Sequence, residues 1–133
     1  MREILFRGKR DKRYCAEQEW TYGVPFIDHE GDCIFKTRSS EYVVDTETVG
    51  QYTGLTDKNG KKIFEGDIVI CSQEINGNFI DKHIEMGYVE MKHGAFGLHR
   101  KQGYYRPFKD WLEDYEYEVI GNIHDNPELL KGE

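Results

Sequence analysis

The sequence predicts a mainly β protein built from short strands and tight turns. Val, Ile, Thr, Tyr, Phe and Trp make up 42 of the 133 residues, against 11 for Ala, Leu and Met. Branched and aromatic side chains suit a pleated, half-buried surface, whereas Ala, Leu and Met suit helices. Fourteen glycines supply the punctuation between strands. Leu, Ile, Val and Phe add up to 31 residues, enough to build a buried core and to place the chain outside the disordered class.

The elements follow in order. Residues 2–7 alternate as a strand, and the basic stretch from Gly8 to Arg13 turns the chain. Glu17–Tyr22 returns and stops at Gly23; Val24–Ile27 is an edge segment, because Pro25 cannot donate to a ladder. Short strands are expected at Cys33–Lys36 and Tyr42–Asp45, joined by a polar loop. Val49–Thr53 leads to Gly54 and then to the turn Asp57-Lys58-Asn59-Gly60, where Asn-Gly accepts positive φ at no steric cost. A second turn at Glu65-Gly66-Asp67 opens the apolar strand Ile68–Cys71. A third, at Asn76-Gly77, precedes the strand His83–Lys92, which folds back at His93-Gly94 into Ala95–His99. Arg100–Arg106 is a basic, aromatic loop. Phe108, Trp111, Leu112 and Tyr115 fall at i, i+3, i+4 and i+7, which predicts a short helix over 107–115 beginning at Pro107. Tyr117–Ile123 closes the fold, and Asn126 caps a last turn at Pro127. The expected organisation is an N-terminal subdomain of hairpins over 1–47. An SH3-like, partly open barrel over 48–133 joins it in one compact unit.

A net charge of −7 favours solubility and works against non-specific attraction to nucleic acid or anionic membrane. The charge is polarised. Residues 1–13 hold six Lys and Arg against two acids, and residues 110–133 hold eight acids against Lys131. Such ends attract one another or a neighbouring copy. The start has no long apolar core, no run suits a membrane helix, and the three cysteines are odd in number and widely spaced; a cytoplasmic location with reduced thiols is expected.

Catalytic motifs are scarce. Asp67 with Glu90 and Lys92 has the Asp…Glu-x-Lys pattern of a metal-dependent nuclease, but Glu-x-Lys is common on solvated strands. His29, Cys33, His93 and His99 lack the two close pairs of a zinc site. Cys71 ends an Ile-Val-Ile run and reads as a core residue before a nucleophile. No cofactor, metal or small-molecule substrate is expected. The segment 99–109 interleaves bases and aromatics, and Arg100, Lys101, Tyr104, Tyr105, Arg106 and Lys109 form a candidate nucleic-acid patch. Tyr14, Trp20, Tyr22, Tyr104, Tyr105 and Tyr115 sit in polar neighbourhoods and suit an interface.

Three blocks, Arg2–Lys9 with Glu19–Gly23, Val49–Val69 (VGQYTGLTDKNGKKIFEGDIV) and Tyr117–Leu130 (YEVIGNIHDNPELL), carry a resemblance. Together they look like the YopX family, with Phe64 where a tyrosine is more usual. The resemblance implies a largely β protein of phages and prophages in a bacterial host, with no assigned reaction. Its recurring residues here are Gly54, Asp57, Asn59, Gly60, Gly66, Asp67, Gly121 and Asn122, mostly turn formers that read as architecture. The leading expectation is a non-enzymatic module that binds a protein partner or self-assembles. The alternative is a nucleic-acid-binding accessory protein, and a nuclease ranks third.

Overall fold

A computed structural model describes residues 3–75, 78–100, 105–108 and 116–131, with the backbone alone at 73–75 and 78–84. The chain divides into two compact units, Met1–Gly54 and Leu55–Glu133. The sequence places the join between 47 and 48; the division falls later because Gly50 and Gln51 pair with Arg7 and Phe6 of the first strand.

Unit 1 contains β1 (Phe6–Lys9), β2 (Trp20–Ile27), β3 (Cys33–Lys36), β4 (Glu41–Val44) and a single 3-10 turn at Thr46–Thr48. It ends within β5 (Gly50–Thr56), whose last two residues belong to unit 2. All its pairings are antiparallel, in the order β4-β3-β2-β1-β5. β2 is one strand where the sequence suggested two. Its first half, Trp20–Gly23, pairs with β1, and its second half, Val24–Ile27, pairs with β3. Gly23 sits at the change of partner; a Cβ there would lie 2.6 Å from the Lys36 carbonyl oxygen, so only glycine lets β3 pass so close. Gly8 lies inside β1 and not in a turn, because its bare α-carbon packs against Phe35, Val49 and Val44. β4 folds back against the end of β1. Arg10 bridges Val44, the Asp11 amide donates to the Val43 carbonyl at 2.9 Å, and the Asp45 amide donates to the Lys9 carbonyl at 2.8 Å. The Lys9 amide donates to the hydroxyl of Thr48 at 2.8 Å, tying the 3-10 turn to β1. The enclosed core is Cys33, Phe35 and Val44, with Phe6 and Val49 against it.

Unit 2 contains β6 (Lys62–Phe64), β7 (Asp67–Ile75), β8 (Asn78–Lys92), β9 (Ala95–Arg100), β10 (Tyr105–Pro107), β11 (Glu116–Asn122) and a 3-10 turn at Pro127–Leu130. Five of these strands form an antiparallel sheet in the order β10-β9-β8-β7-β11. The molecule is therefore mainly β, and among the described residues the sheets leave the barrel open. One face of the second sheet buries Val69, Cys71, Val89 and Leu98 with Ile63, Phe108 and Tyr117. Phe108 and Tyr117 meet edge to face at 5.3 Å, a favoured arrangement of aromatic quadrupoles. Pro107 is the last residue of β10, opposite Gly97, and Phe108 directly after it is in a 3-10 conformation. A Cβ on Gly97 would lie 2.5 Å from the Arg106 carbonyl oxygen, so this glycine is what admits β10 to the sheet. Residues 109–115, the body of the expected helix, lie outside the described residues, as does the Asn76-Gly77 turn. β7 stops at Ile75 and β8 starts at Asn78, directly paired with it.

Candidate interaction surface

Among the recurring residues, Asp57, Asp67 and Asn122 each accept backbone amides with their side chains. Asp57 is buried and accepts three amide hydrogens. Its Oδ1 takes those of Asn59 and Lys61, both at 2.9 Å, which closes the turn between β5 and β6; its Oδ2 takes that of Val119 at 3.0 Å, which ties the turn to β11. Burial pushes this carboxyl up, but the three amides outweigh it and hold the group below its ordinary value. Asp67 is fully buried and accepts the Phe64 amide at 2.8 Å. Between them Gly66, at φ +88°, donates its amide to Val89 and accepts from Ile123, each at 2.8 Å. Asn122 turns its Oδ1 to the amides of His124 and Asp125 at 3.0 and 2.9 Å. Gly121 lies under Asn126, whose Oδ1 a Cβ would approach to 2.6 Å. Gly54 and Gly60 hold φ of +90° and +82°. These positions shape turns, as their residue types suggest.

The described ends of the candidate nucleic-acid loop lie in strands. Arg100 ends β9 with its guanidinium on Glu85 at 2.7 Å. Tyr105 and Arg106 lie in β10, and the Tyr105 hydroxyl donates to the Ala95 carbonyl. Lys101, Tyr104 and Lys109 lie outside the described residues. The members of the nuclease trio each have a contact of their own. Asp67 serves its turn, Glu90 accepts from Nδ1 of His99 at 2.7 Å, and the Lys92 ammonium lies 5.9 Å from the Tyr105 ring centre. Among the described residues no three His, Cys, Asp or Glu side chains gather to hold a metal.

The cysteines are free thiols. Cys71 is fully buried, and burial pushes its thiol up to about 12, with the Glu85 carboxylate adding to the effect. A thiolate is the reacting species, so such a group is inert at neutral pH. Titration of the native protein with a thiol reagent should therefore modify Cys15, which is half-exposed, well before Cys33 and Cys71; all three should react in denaturant. Fast modification of Cys71 in the native protein would contradict this.

The feature the sequence hid is on β2. Successive side chains of a strand point to opposite faces, and Tyr22, Val24 and Phe26 share the outer one, 48%, 54% and 42% exposed. By register Phe26 faces Ile34, which is buried, and Ile34 faces the half-buried Val43, so the row is apolar across three strands while the exposed part runs along β2. Lysines flank the stripe on both sides. Lys36 stands beside Val24, and on the β1 side Lys9 stands beside Trp20, its ammonium 5.6 Å from the ring centre. The guanidinium of Arg7 lies 4.7 Å from the same ring, a cation–π contact that fixes Trp20 at the end of the stripe. By register the charged members of this outer face are Arg7, Lys9, Lys36 and Glu41, locally cationic in an acidic chain. The alternation Trp20, Tyr22, Val24, Phe26 was visible in principle. Ending one strand at Gly23 and treating Pro25 as an edge signal broke the run in two.

A family model described as "YopX protein" matches residues 5–131. The chain belongs to the YopX family. None of the curated proteins matches it. Among solved structures, the YopX-family chain resembles one titled "Crystal structure of protein EF1440 from Enterococcus faecalis", with 24% identity and a TM-score of 0.55. The match covers 98% of this chain and 100% of the other. At that identity the likeness speaks for the fold. Of the residues the resemblance singles out, Asp57, Asp67 and Asn122 accept backbone amides that close turns or tie strands together.

Proposed function

We propose that this YopX-family chain is a non-enzymatic interaction module that self-associates through the outer face of unit 1. One observation carries the reading: three large apolar side chains, Tyr22, Val24 and Phe26, stand exposed in line on one strand, continued by the Phe26–Ile34–Val43 row. Singly exposed apolar groups need no explanation, but a contiguous patch bordered by charge is the usual mark of a contact surface. The framework supports it. In unit 1 a long second strand is shared between two sets of neighbours and a 3-10 turn leads into a last strand that pairs with the first. On this reading the SH3-like, partly open barrel lies over residues 48–133. The setting consistent with the resemblance is the cytoplasm of a bacterial host, in a chain of phage or prophage origin.

Sedimentation velocity over a wide concentration range tests the reading. The wild-type chain should associate, and Val24→Ser with Phe26→Ser should weaken that association by about tenfold or more without lowering the melting temperature appreciably. A wild-type chain that remains monomeric throughout would refute self-association. The second reading is single-stranded nucleic-acid binding, favoured by the cationic grouping of Arg7 and Lys9 on Trp20. It requires a salt-sensitive gel shift that Lys9→Ala and Trp20→Ala abolish.

A further inference from the structure

Taking the interaction reading above as its premise, we propose that the occupant of the β2 stripe is the C-terminal 3-10 turn of a second copy of this chain, in a head-to-tail contact. The complementarity is in both shape class and charge. The stripe offers Val24 and Phe26, with Lys36 beside Val24 on β3 and Lys9 at the Trp20 end on β1. The turn Pro127–Leu130 offers Leu129 and Leu130, half-exposed, beside the exposed carboxylate of Glu128. This is the acidic end of the polarised sequence, where residues 110–133 hold eight acids against one lysine, and the stripe lies on the cationic face of the basic end. The turn also has a backbone suited to presentation. Pro127 fixes its entry, the Leu129 amide donates to Asn126 at 3.1 Å, and Asn126 accepts the Asn122 amide at 3.2 Å, so the leucines are held on a short rigid segment.

A face of one copy meeting a tail of the next is a heterologous contact. It closes into a ring or continues as a filament, whereas a face meeting a face would stop at a dimer. Opposed charge at the rim also makes association weaken as salt rises.

The test uses full-length variants in sedimentation velocity, each checked by circular dichroism for an unchanged fold. Val24→Glu spoils the face and Glu128→Lys spoils the tail; both positions are exposed. Each variant alone should associate about tenfold or more weakly than wild type. An equimolar mixture of the two should associate more strongly than either alone, at least as a one-to-one dimer, because it contains one intact face and one intact tail. A chain carrying both substitutions should recover part of the association. If Glu128→Lys associates as wild type while Val24→Glu does not, the tail is not the occupant and the stripe reading stands alone. If the mixture stays monomeric, the head-to-tail contact is overturned. If wild type is monomeric and instead shifts a single-stranded oligonucleotide, both the contact and its premise fail.

Discussion

Replacing Asp57 by alanine is expected to destabilise unit 2 by about 3–5 kcal/mol, seen as a melting temperature lower by about 10 °C or more. Three amide hydrogens lose a charged acceptor at once, and each hydrogen bond to an ionised group contributes roughly 1.5–3 kcal/mol, not additively. Two of the donors, Asn59 and Lys61, lie in the turn after β5, and the third, Val119, is in β11 at a bulge where the register shifts to Gly121. Loss of the carboxylate therefore frays the turn and frees β11 from it together. Asp57→Asn should cost less, because its amide oxygen still serves the turn, but its amide nitrogen then confronts the Val119 N–H. The wild-type pH profile carries the same signature. The folded-state value of Asp57 lies below the ordinary 3.8, so its contribution is complete above that value. It is lost as pH falls through the folded value. Wild-type stability should fall below about pH 4, and Asp57→Asn should show a shallower fall over the same range. An alanine variant as stable as wild type would contradict the triple-acceptor role.

Asp67→Ala is expected to cost about 2–4 kcal/mol by chemical denaturation, through the buried Phe64 amide it leaves without its charged acceptor. The turn it closes has a wider reach than its length suggests. Gly66 within it bonds both to Val89 in β8 and to Ile123 beyond β11, so three segments meet at one peptide. Hydrogen exchange at the amides of Phe64, Gly66 and Ile123 should accelerate together in the variant. The sign of the effect separates two roles for this carboxylate. A group held in a metal site against neighbouring acids is usually strained, and its removal stabilises; a turn staple destabilises when removed. A more stable Asp67→Ala would restore the nuclease reading.

Much of the fold was legible because its signals are local. Asn59-Gly60, Gly66 and His93-Gly94 turn where their residue types demand, and Ile68, Val69 and Cys71 of the apolar run are buried. The signals that misled are equally local, but their outcome was decided by distant neighbours. Gly23 looks like a terminator, yet it is the point where β2 exchanges β1 for β3, and only the Lys36 carbonyl explains why it is glycine. Arg100 and Arg106 look like a free basic loop, yet both lie in strands, and a carboxylate 15 residues upstream holds Arg100. The candidate surface suffered the same way: its alternation spans a glycine and a proline that each mimic a boundary.

The order of assembly in unit 1 sets a condition on how the chain is made. β1 is the first strand to leave the ribosome, yet it lies between β2 and β5, and its upstream neighbour Leu5 accepts the amide of Tyr52 at 2.8 Å. The fastening of Lys9, Arg10 and Asp11 to Val43, Val44 and Asp45 likewise waits for some thirty further residues, at roughly 5–20 residues per second. β1 is thus made well before the partners that secure its second edge. Until Tyr52 emerges, the nascent unit carries both its exposed aromatic stripe and a strand β1 paired on the β2 side alone.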